Sequence, residues 1–213
     1  MALAVALLSG GLDSGVAAAC ARDAGHSLAA CLFFDYGQRA ARREQAAAAA
    51  LAKRWQAPFT TIALPWLGEL AARAGSLLVG GGELPHATNE RPGDARSAGA
   101  VWVPARNAVF VAIAAAHAEA CGAALVVAGF NREEAATFPD NSAAFTRAAD
   151  QFLALGTQNG VMVTSPTLPW DKAEIVAQAR RLGFVPSDFW SCYDGGAEPC
   201  GRCESCVRSR WQR

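Results

Sequence analysis

The sequence predicts an α/β fold in which a parallel β-sheet carries helices on both faces, the Rossmann-like arrangement. Short apolar or β-branched runs alternate with Ala-rich runs of helical period along the chain. Such an order requires βαβ crossovers, which place successive strands parallel. The 213 residues are 52% hydrophobic and 18% charged, so the chain can form one sizeable packed domain. Ligands of such folds bind beyond the carboxyl ends of the strands, and the functional residues are expected there.

Five short runs of apolar and β-branched residues are the predicted strands. The first is continuously apolar, as expected of a strand that is buried on both faces of a sheet. The others share its brevity and apolar character. The predicted strands span residues 2–8, 28–34, 59–64, 124–128 and 161–164.

Five longer runs with helical period are the predicted helices. The second has polar residues along one side, as a helix that covers a sheet should. The last three are each followed by a glycine, the usual residue just past a helix end. The predicted helices span residues 14–24, 39–55, 107–121, 141–155 and 171–182.

Two segments fall outside this alternation. Residues 80–99 are rich in Gly, Pro, Asn and charge, and we expect a long surface loop there that can order over a ligand. The segment from Ser187 onward contains four of the seven cysteines. We therefore expect an α/β domain at residues 1–186 and a zinc-binding tail at residues 187–213 that packs on it.

The charge balance favours a small ligand. The 19 Lys and Arg match the 19 Asp and Glu, so no overall field attracts nucleic acid or an anionic membrane. No uncharged apolar run reaches the roughly 18 residues of a membrane span, and the first residues lack the pattern of a signal peptide. We expect a cytoplasmic protein without a nucleic-acid or membrane partner, whose thiols stay reduced.

The segment Leu8-Ser9-Gly10-Gly11-Leu12-Asp13-Ser14 joins the first predicted strand to the first helix. Its two glycines permit a close approach of backbone to ligand, and the N–H groups at the helix start favour an anion. It is not a Walker-type loop, because no Lys follows the glycines. The sequence therefore predicts a phosphate-binding loop, with a simple capped turn as the alternative.

The last four cysteines, Cys192, Cys200, Cys203 and Cys206, have the spacing C-x7-C-x2-C-x2-C. Four thiolates on a short segment can close a tetrahedral shell around Zn²⁺ and leave no open coordination position. An iron–sulfur cluster is the alternative, although no redox-cofactor motif accompanies it. Three further cysteines lie in predicted helices or strands and are expected to pack in the core, namely Cys20, Cys31 and Cys121.

Five separated motifs, in order along nearly the whole chain, resemble one family. The phosphate loop is similar to that of the N-type ATP pyrophosphatases, which split ATP between its α and β phosphates. The full set resembles the 7-cyano-7-deazaguanine synthases, the QueC family of queuosine biosynthesis. The motifs are Ser-Gly-Gly-Leu-Asp-Ser at 9–14, Phe-Asp-Tyr-Gly-Gln-Arg at 34–39, Val-Pro-Ala-Arg-Asn at 103–107, Pro-Thr-Leu-Pro-Trp-Asp-Lys-Ala-Glu at 166–174 and Ser-Cys-Tyr at 191–193 with the cysteines that follow.

The resemblance implies an adenine nucleotide α hydrolase-like fold and assigns roles to residues. Asp13, Arg106 and Lys172 are the expected catalytic residues, with Asp13 near Mg²⁺. A solvated first-turn lysine is the alternative for Lys172. The expected nucleotide-binding residues are Leu8, Ser9, Gly10, Gly11, Leu12, Asp13, Ser14, Gly15, Val16, Ala17, Ala18, Asp35 and Tyr36.

The expected substrate-binding residues are Arg106, Asn107, Phe138 and Asp140. Arg106 and Asn107 lie at a predicted helix N-terminus. Phe138 supplies an aromatic ring that could stack on the substrate, and Asp140 supplies a carboxylate that could pair with a guanine-like N–H edge. Both lie within a stretch, residues 130–142, that departs from the family pattern.

The implied reaction converts 7-carboxy-7-deazaguanine and ammonia to the nitrile through adenylated intermediates, with ATP, Mg²⁺ and Zn²⁺ as cofactors and a homodimer as the expected state. A tRNA-modifying ATP pyrophosphatase is one alternative, and it would need a basic face. A related deazaguanine-activating enzyme with a different amine acceptor is another. A non-catalytic, zinc-stapled binding module is the third.

Overall fold

The computed structural model describes residues 1–85 and 95–209. Its strands are β1 (Leu3–Leu7), β2 (Ser27–Asp35), β3 (Phe59–Ala63), β4 (Leu125–Val127) and β5 (Met162–Thr164). Its helices are α1 (Leu12–Asp23), α2 (Ala41–Arg54), α3 (Pro65–Arg73), α4 (Ala95–Ala100), α5 (Arg106–Ala120), α6 (Arg132–Ala135), α7 (Ala143–Gly156), α8 (Lys172–Arg181) and α9 (Glu204–Arg208). Short 3-10 turns occur at Pro139–Asn141 and Pro186–Asp188.

The five strands form one parallel sheet in the order β3-β2-β1-β4-β5. The chain builds outward from β1 to β3 on one side and then crosses to β4 and β5 on the other. The strand order therefore reverses between β1 and β4, which is where ligands of doubly wound sheets bind. The loop that follows β1 lies at this position, so the predicted fold class is confirmed.

Helices cover both faces of the sheet because neighbouring strand residues point to opposite sides. On one face, Ala4 and Ala6 of β1 pack with α1, α2 and α8. On the other face, Val5 packs with α3, α5 and α7. Ala4, Ala6 and Val5 are all fully buried. None of the helices in the described part of the chain is long and apolar enough to cross a membrane.

Each predicted strand and helix is present, with ends that differ by no more than two residues. Four helices were not predicted. Two of them, α6 and α9, are short, with four and five residues. A third is α3, which begins at Pro65, a residue that favours the first turn of a helix. The fourth is α4, which occupies the end of the expected loop at 80–99. Residues 86–94 of that loop lie outside the described residues.

The prediction for the three cysteines outside the tail was right for two of them. Cys31 is fully buried beneath the helices, and Cys20 is half-buried and packs against the same core cluster. Cys121 is exposed. Cys121 follows the last residue of α5, and the chain turns there at Gly122 with a positive φ of 71°. The expectation that Cys121 packs in the core was therefore wrong, because the helix ends before it can turn that side chain inward.

Candidate active site

The loop between β1 and α1 is held by hydrogen bonds between its own serines. The hydroxyls of Ser9 and Ser14 lie 2.9 Å apart, and the Ser14 hydroxyl also donates to the Gly11 carbonyl at 3.1 Å. Gly11 is the N-cap of α1, and no side chain caps the helix. The first N–H groups of α1 therefore remain available to an anion.

Neighbouring segments pack so closely against this loop that two positions in the contact must be glycine. Gly10 has a φ of +80°, and a Cβ there would lie 2.2 Å from the Glu44 carbonyl oxygen of α2. A Cβ on Gly129, just after β4, would lie 2.5 Å from the Ser14 nitrogen. The loop is thus fixed between α2 and the end of β4, which suits it to hold a ligand in one position.

Lys172 lies at the centre of a buried cluster of charges. It is the first residue of α8, which begins with a capping box between Asp171 and Glu174, and the lysine is only 8% exposed. Its ammonium group donates to Asp13 Oδ2 and, at 2.9 Å, to Glu134 Oε1. This position excludes the alternative of a solvated lysine.

The pKa values of Lys172, Asp13 and Glu134 depend on burial and on one another. Burial favours the neutral form of Lys172, but the two carboxylates outweigh it and raise the pKa of the lysine above its usual value. Burial raises the pKa of Asp13, although Lys172 opposes this. Burial also acts to raise the pKa of Glu134, but Lys172, Arg208 and Arg106 together outweigh it and lower the pKa.

Asp13 also has an unused acceptor. Its Oδ1 is buried and has no hydrogen-bond partner in the described part of the chain. A buried carboxylate oxygen without a partner is costly, and a hard divalent cation such as Mg²⁺ would satisfy it. The residues at this point therefore fit the expected metal.

A second cationic group enters the cavity from α5. Arg106 is the first residue of this helix, and its Nη1 donates to the Tyr36 hydroxyl at 3.3 Å. The side chain of the next residue, Asn107, donates to the Asp140 carbonyl at 3.2 Å. Burial raises the pKa of the Asp140 carboxyl, while Arg106 opposes the shift. The motif at 103–107 thus ties the end of β2 to the turn at Pro139–Asn141.

These groups surround one cavity of about 230 Å³ at the carboxyl ends of the strands. The predicted residues that line it are Leu8, Ser9, Gly11, Leu12, Asp13, Ser14, Tyr36, Arg106, Asn107 and Lys172. Glu44, Glu134 and Tyr193 also line it but were not predicted. They lie far from the phosphate loop in sequence, and only the fold brings them to it.

The remaining predicted residues lie elsewhere. Val16, Ala17 and Ala18 are fully buried in the core, and a Cβ on Gly15 would lie 2.5 Å from a ring carbon of Phe189. Gly10 packs on α2, as described above. Asp35 accepts a hydrogen bond from the Gly37 N–H at 3.0 Å, which closes the turn after β2.

Phe138 does not line the cavity of the phosphate loop. Its ring is parallel to that of Trp102 within 8°, with the two centroids 6.2 Å apart. Both rings line a second cavity of about 440 Å³. The turn at Pro139–Asn141 borders both cavities, because Pro139 lines the second and Asn141 the first.

The tail brings its four cysteines together. One sulfur from each of Cys192, Cys200, Cys203 and Cys206 lies within 4.8 Å of the others. Two of the sulfur pairs are 4.0 Å apart, close to the roughly 3.8 Å edge of a tetrahedron with Zn–S bonds of about 2.3 Å. Backbone N–H groups also point at the sulfurs, including that of Cys200 at 3.3 Å from Cys192 Sγ. The donor set and its spacing fit zinc.

The same tail forms one wall of the cavity. The backbone N–H of Trp190 donates to the Gly10 carbonyl of the phosphate loop at 2.9 Å. Arg43 of α2 lies over the Trp190 ring at 5.3 Å and donates to the Gly196 carbonyl at 3.0 Å. Ser205, between two of the cysteines, lines the cavity itself. The metal-binding segment and the phosphate loop are therefore in direct contact.

A phosphate loop at the switch point of a parallel sheet, with a buried lysine and an unpartnered carboxylate oxygen beside it, defines an adenine nucleotide α hydrolase-like protein. A 4-thiouridine synthetase, solved as an RNA complex with bound ATP, shares this fold with a TM-score of 0.53 and 19% identity. The alignment covers 99% of this chain and 50% of that one.

Within this class the chain belongs to the QueC family. The sequence model of that family, described as "Queuosine biosynthesis protein QueC", matches residues 3–211. A 7-cyano-7-deazaguanine synthase from Pelotomaculum thermopropionicum is 50% identical over 209 residues, which is 96% of this chain and 93% of the relative. One from Methanothermobacter thermautotrophicus is 42% identical over 209 residues, covering 97% and 92%. The family predicted from the motifs is confirmed.

Proposed function

We propose that this chain converts 7-carboxy-7-deazaguanine and ammonia to 7-cyano-7-deazaguanine at the expense of ATP. The family and the activity for which its relatives are named support the overall reaction. The observation that carries the proposal is the cavity in which the phosphate loop, Lys172, Arg106 and the unpartnered Asp13 oxygen converge. This arrangement suits a reaction that separates pyrophosphate from an adenylate.

The chemistry requires such activation because a carboxylate resists nucleophiles and has a poor leaving group. Transfer of AMP to the carboxylate gives an acyl-adenylate, and ammonia then displaces AMP to give the amide. A second AMP transfer to the amide oxygen, followed by loss of AMP, gives the nitrile. Each transfer develops negative charge on phosphate oxygens, which fixed N–H groups and cations stabilise without reorganisation.

The position of each residue in the cavity suggests its role in the reaction. Ser9, Ser14 and the N-terminus of α1 would hold the departing pyrophosphate, with Lys172 beside it. Mg²⁺, held by Asp13, would neutralise phosphate charge. Arg106 would face the reacting carboxylate.

The rest of the assigned residues would act at the edges of this arrangement. Asp35 and Tyr36 lie at the end of β2, where a nucleoside would be bound. Asn107, Phe138 and Asp140 lie at or beside the turn at Pro139–Asn141, where the deazapurine ring would be held. Within the assigned loop, Gly10 and the residues 15–18 would support the nucleotide contacts from behind.

The proposal extends to the metal and to the state of the protein. The four tail cysteines would bind Zn²⁺ in a structural role, because four protein ligands leave no coordination position for a substrate. We further propose a cytoplasmic homodimer that uses free ammonia.

The test is product analysis after incubation with ATP, Mg²⁺, ammonium and 7-carboxy-7-deazaguanine. We expect the nitrile by mass spectrometry and two AMP released for each nitrile formed. Asp13→Asn should strongly reduce AMP release, since a neutral amide oxygen binds Mg²⁺ more weakly than a charged carboxylate does. Asp23→Asn is the matched control, because it makes the same change on an exposed side chain at the other end of α1.

Two results would contradict the proposal. Full activity of Asp13→Asn would show that the carboxylate has no part in the reaction. Release of AMP from the wild type without amide or nitrile would indicate a different amine acceptor.

A further inference from the structure

Three carboxylates line the main cavity, and one of them has no cation. Asp13 and Glu134 both bond to Lys172. Glu44, on α2, forms no ion pair with any Lys, Arg or His whose side chain the structure describes, although it lines the same cavity as Arg106. Nothing in the roles assigned above uses it.

The side chain of Gln38 holds Glu44 in place. Gln38 is 7% exposed, its Oε1 accepts from the Tyr36 N–H at 3.0 Å, and its Nε2 donates to the Phe34 carbonyl at 3.0 Å. Because one partner only donates and the other only accepts, the amide has one orientation. Its Nε2 then donates to Glu44 Oε2 at 2.9 Å.

The second oxygen of this carboxylate remains available. Glu44 Oε1 has no hydrogen-bond partner in the part of the chain that the structure describes, and it is not sealed from the cavity. A fixed carboxylate with one open oxygen, facing a cavity and lacking a cation, is suited to receive a small cation or a proton.

The proposed reaction needs such a group at its nitrogen. Ammonia exists mostly as ammonium at neutral pH, and ammonium has no lone pair with which to attack. After the C–N bond has formed, the nitrogen must still lose its remaining protons before a nitrile can appear. Glu134 is bonded to Lys172. Asp13 is bonded to Lys172 through one oxygen, and its other oxygen is assigned to Mg²⁺ in the proposed function, so neither carboxylate is left to take these protons.

We infer that Glu44 binds the incoming ammonium through Oε1 and accepts the protons that the nitrogen gives up on its way to the nitrile. This inference rests on the proposed function and names the general base of that site. Glu44 would act as a catalytic residue, because it would contact the reacting nitrogen directly.

The nitrogen loses four protons between ammonium and the nitrile. Ammonium gives one proton to Glu44, the ammonia lone pair forms the C–N bond, and the C–O bond to AMP breaks with its electron pair on AMP. A second proton leaves the nitrogen to give the amide. After the amide oxygen has displaced pyrophosphate from the second ATP, the nitrogen loses one proton to Glu44. It loses another as the C–O bond breaks, AMP departs and the C≡N bond forms. Glu44 returns each proton to solvent.

The surroundings of Glu44 support a base that works near neutrality. Burial raises its pKa to about 7, and the hydrogen bond from Gln38 opposes the shift. The titratable and charged groups that face it are Arg106 of α5, which lowers the pKa of Glu44, and Asp35 and Cys192, which raise it. A base is most effective when its pKa lies near the working pH.

The test separates activation from the nitrogen step. Carboxylate-dependent exchange of pyrophosphate into ATP, without ammonium, measures activation alone. Amide and nitrile formation is then measured with ammonium, and hydroxamate formation with hydroxylamine, which is largely unprotonated at neutral pH. Glu44→Gln is compared with the wild type and with Glu69→Gln, the same change at an exposed position of α3. Glu44→Asp keeps a carboxylate.

We expect Glu44→Gln to keep the exchange and the hydroxylamine reaction but to lose about 10²- to 10⁴-fold in kcat/KM for ammonium, the range of a general base. With total ammonium fixed, the wild-type rate should level off above about pH 7, where Glu44 is ionised. That of Glu44→Gln should keep rising with free ammonia. Glu44→Asp should recover part of the ammonium reaction.

Other outcomes would overturn the inference. Equal losses with ammonium and hydroxylamine would show that the carboxylate does not act on the nitrogen's proton. Loss of exchange in a folded Glu44→Gln, or in Glu44→Asp, would place Glu44 in nucleotide binding instead. Normal exchange with unchanged use of ammonium would overturn this inference alone, whereas no exchange in the wild type would overturn the proposed function as well.

Discussion

Removal of the Lys172 ammonium should destabilise the protein in a way that depends on pH. Lys172→Met keeps most of the apolar stem but leaves Asp13 and Glu134 facing each other without a cation. The side chains of these two carboxylates are only 17% and 29% exposed. The substitution therefore creates two poorly solvated negative charges at close range.

The magnitude follows from the burial of the cluster. Breaking a buried ion pair by removing one partner costs about 3–5 kcal/mol. Both carboxylates keep some contact with the cavity, so we take the lower end, about 3 kcal/mol. In a domain of this size each kcal/mol lowers Tm by roughly 2–4 °C, so the expected loss is about 6–12 °C.

The sign of the pH dependence can be derived from the same charges. In Lys172→Met the folded state raises the pKa of the carboxylates above their unfolded values, so the penalty is full at high pH and shrinks as protons bind. In the wild type Lys172 helps to lower the pKa of Glu134 below 4.5. The lowered pKa stabilises the folded state, and this stabilisation is lost only when the pH falls through the pKa that Glu134 has in the folded protein. The difference between the two proteins should therefore narrow on acidification.

Thermal unfolding at about pH 8 and about pH 5 measures both effects. The control is Lys53→Met, at the only other lysine in the chain, which is exposed in the last turn of α2. It should change stability by less than about 0.5 kcal/mol. A loss for Lys172→Met that is equally large at both pH values, or no larger than that of the control, would refute the electrostatic argument.

Three further predictions concern the metal, the loop and the acceptor. Elemental analysis of the wild type should find roughly one zinc per chain, which Cys203→Ser should lose and Cys121→Ser should keep. Zinc retained in Cys203→Ser would disprove the four-cysteine site. Gly129→Ala should abolish ATP binding in calorimetry, because its Cβ would lie 2.5 Å from the Ser14 nitrogen. Wild-type affinity in this variant would show that the loop can shift to accommodate the methyl group. Asp140→Asn should weaken use of the deazapurine acid by roughly 10- to 150-fold, the equivalent of about 1.5–3 kcal/mol for a hydrogen bond to a charged group, and an equal effect on ATP would assign Asp140 to the fold.

The fold was predictable because the chain repeats one local pattern. Each strand is a short apolar run and each long helix has a clear period, so neither depends on distant residues for its identity. The exception among the longer helices is α3, where Pro65 suggests a turn and Gly68 weakens the helical signal. A Cβ on Gly68 would lie 2.0 Å from the Tyr36 carbonyl oxygen, so this glycine is required by a tertiary contact that no local pattern contains.

The site was predictable where one short segment carries it. The phosphate loop and the cysteine cluster are each contiguous, and their residue types indicate their chemistry. Glu44 and Glu134 are single acidic residues in helices, where a solvated side chain is the ordinary expectation. Only the fold shows that one is open to the cavity and that the other bonds to Lys172. The parallel rings of Trp102 and Phe138 were missed for the same reason.

The contact between the tail and the phosphate loop connects the four-cysteine site to the main cavity. The Gly10 carbonyl is fixed by the Trp190 N–H, only two residues before Cys192, and Ser205 lines the cavity between Cys203 and Cys206. A metal that holds these cysteines together would therefore also fix one side of the proposed nucleotide site. Because metal binding to such a segment is coupled to its folding, we expect the order of the tail to depend on the metal. The proposed boundary at residue 186 would separate the two kinds of ligand chemistry, although the main cavity is lined by residues from both sides of it.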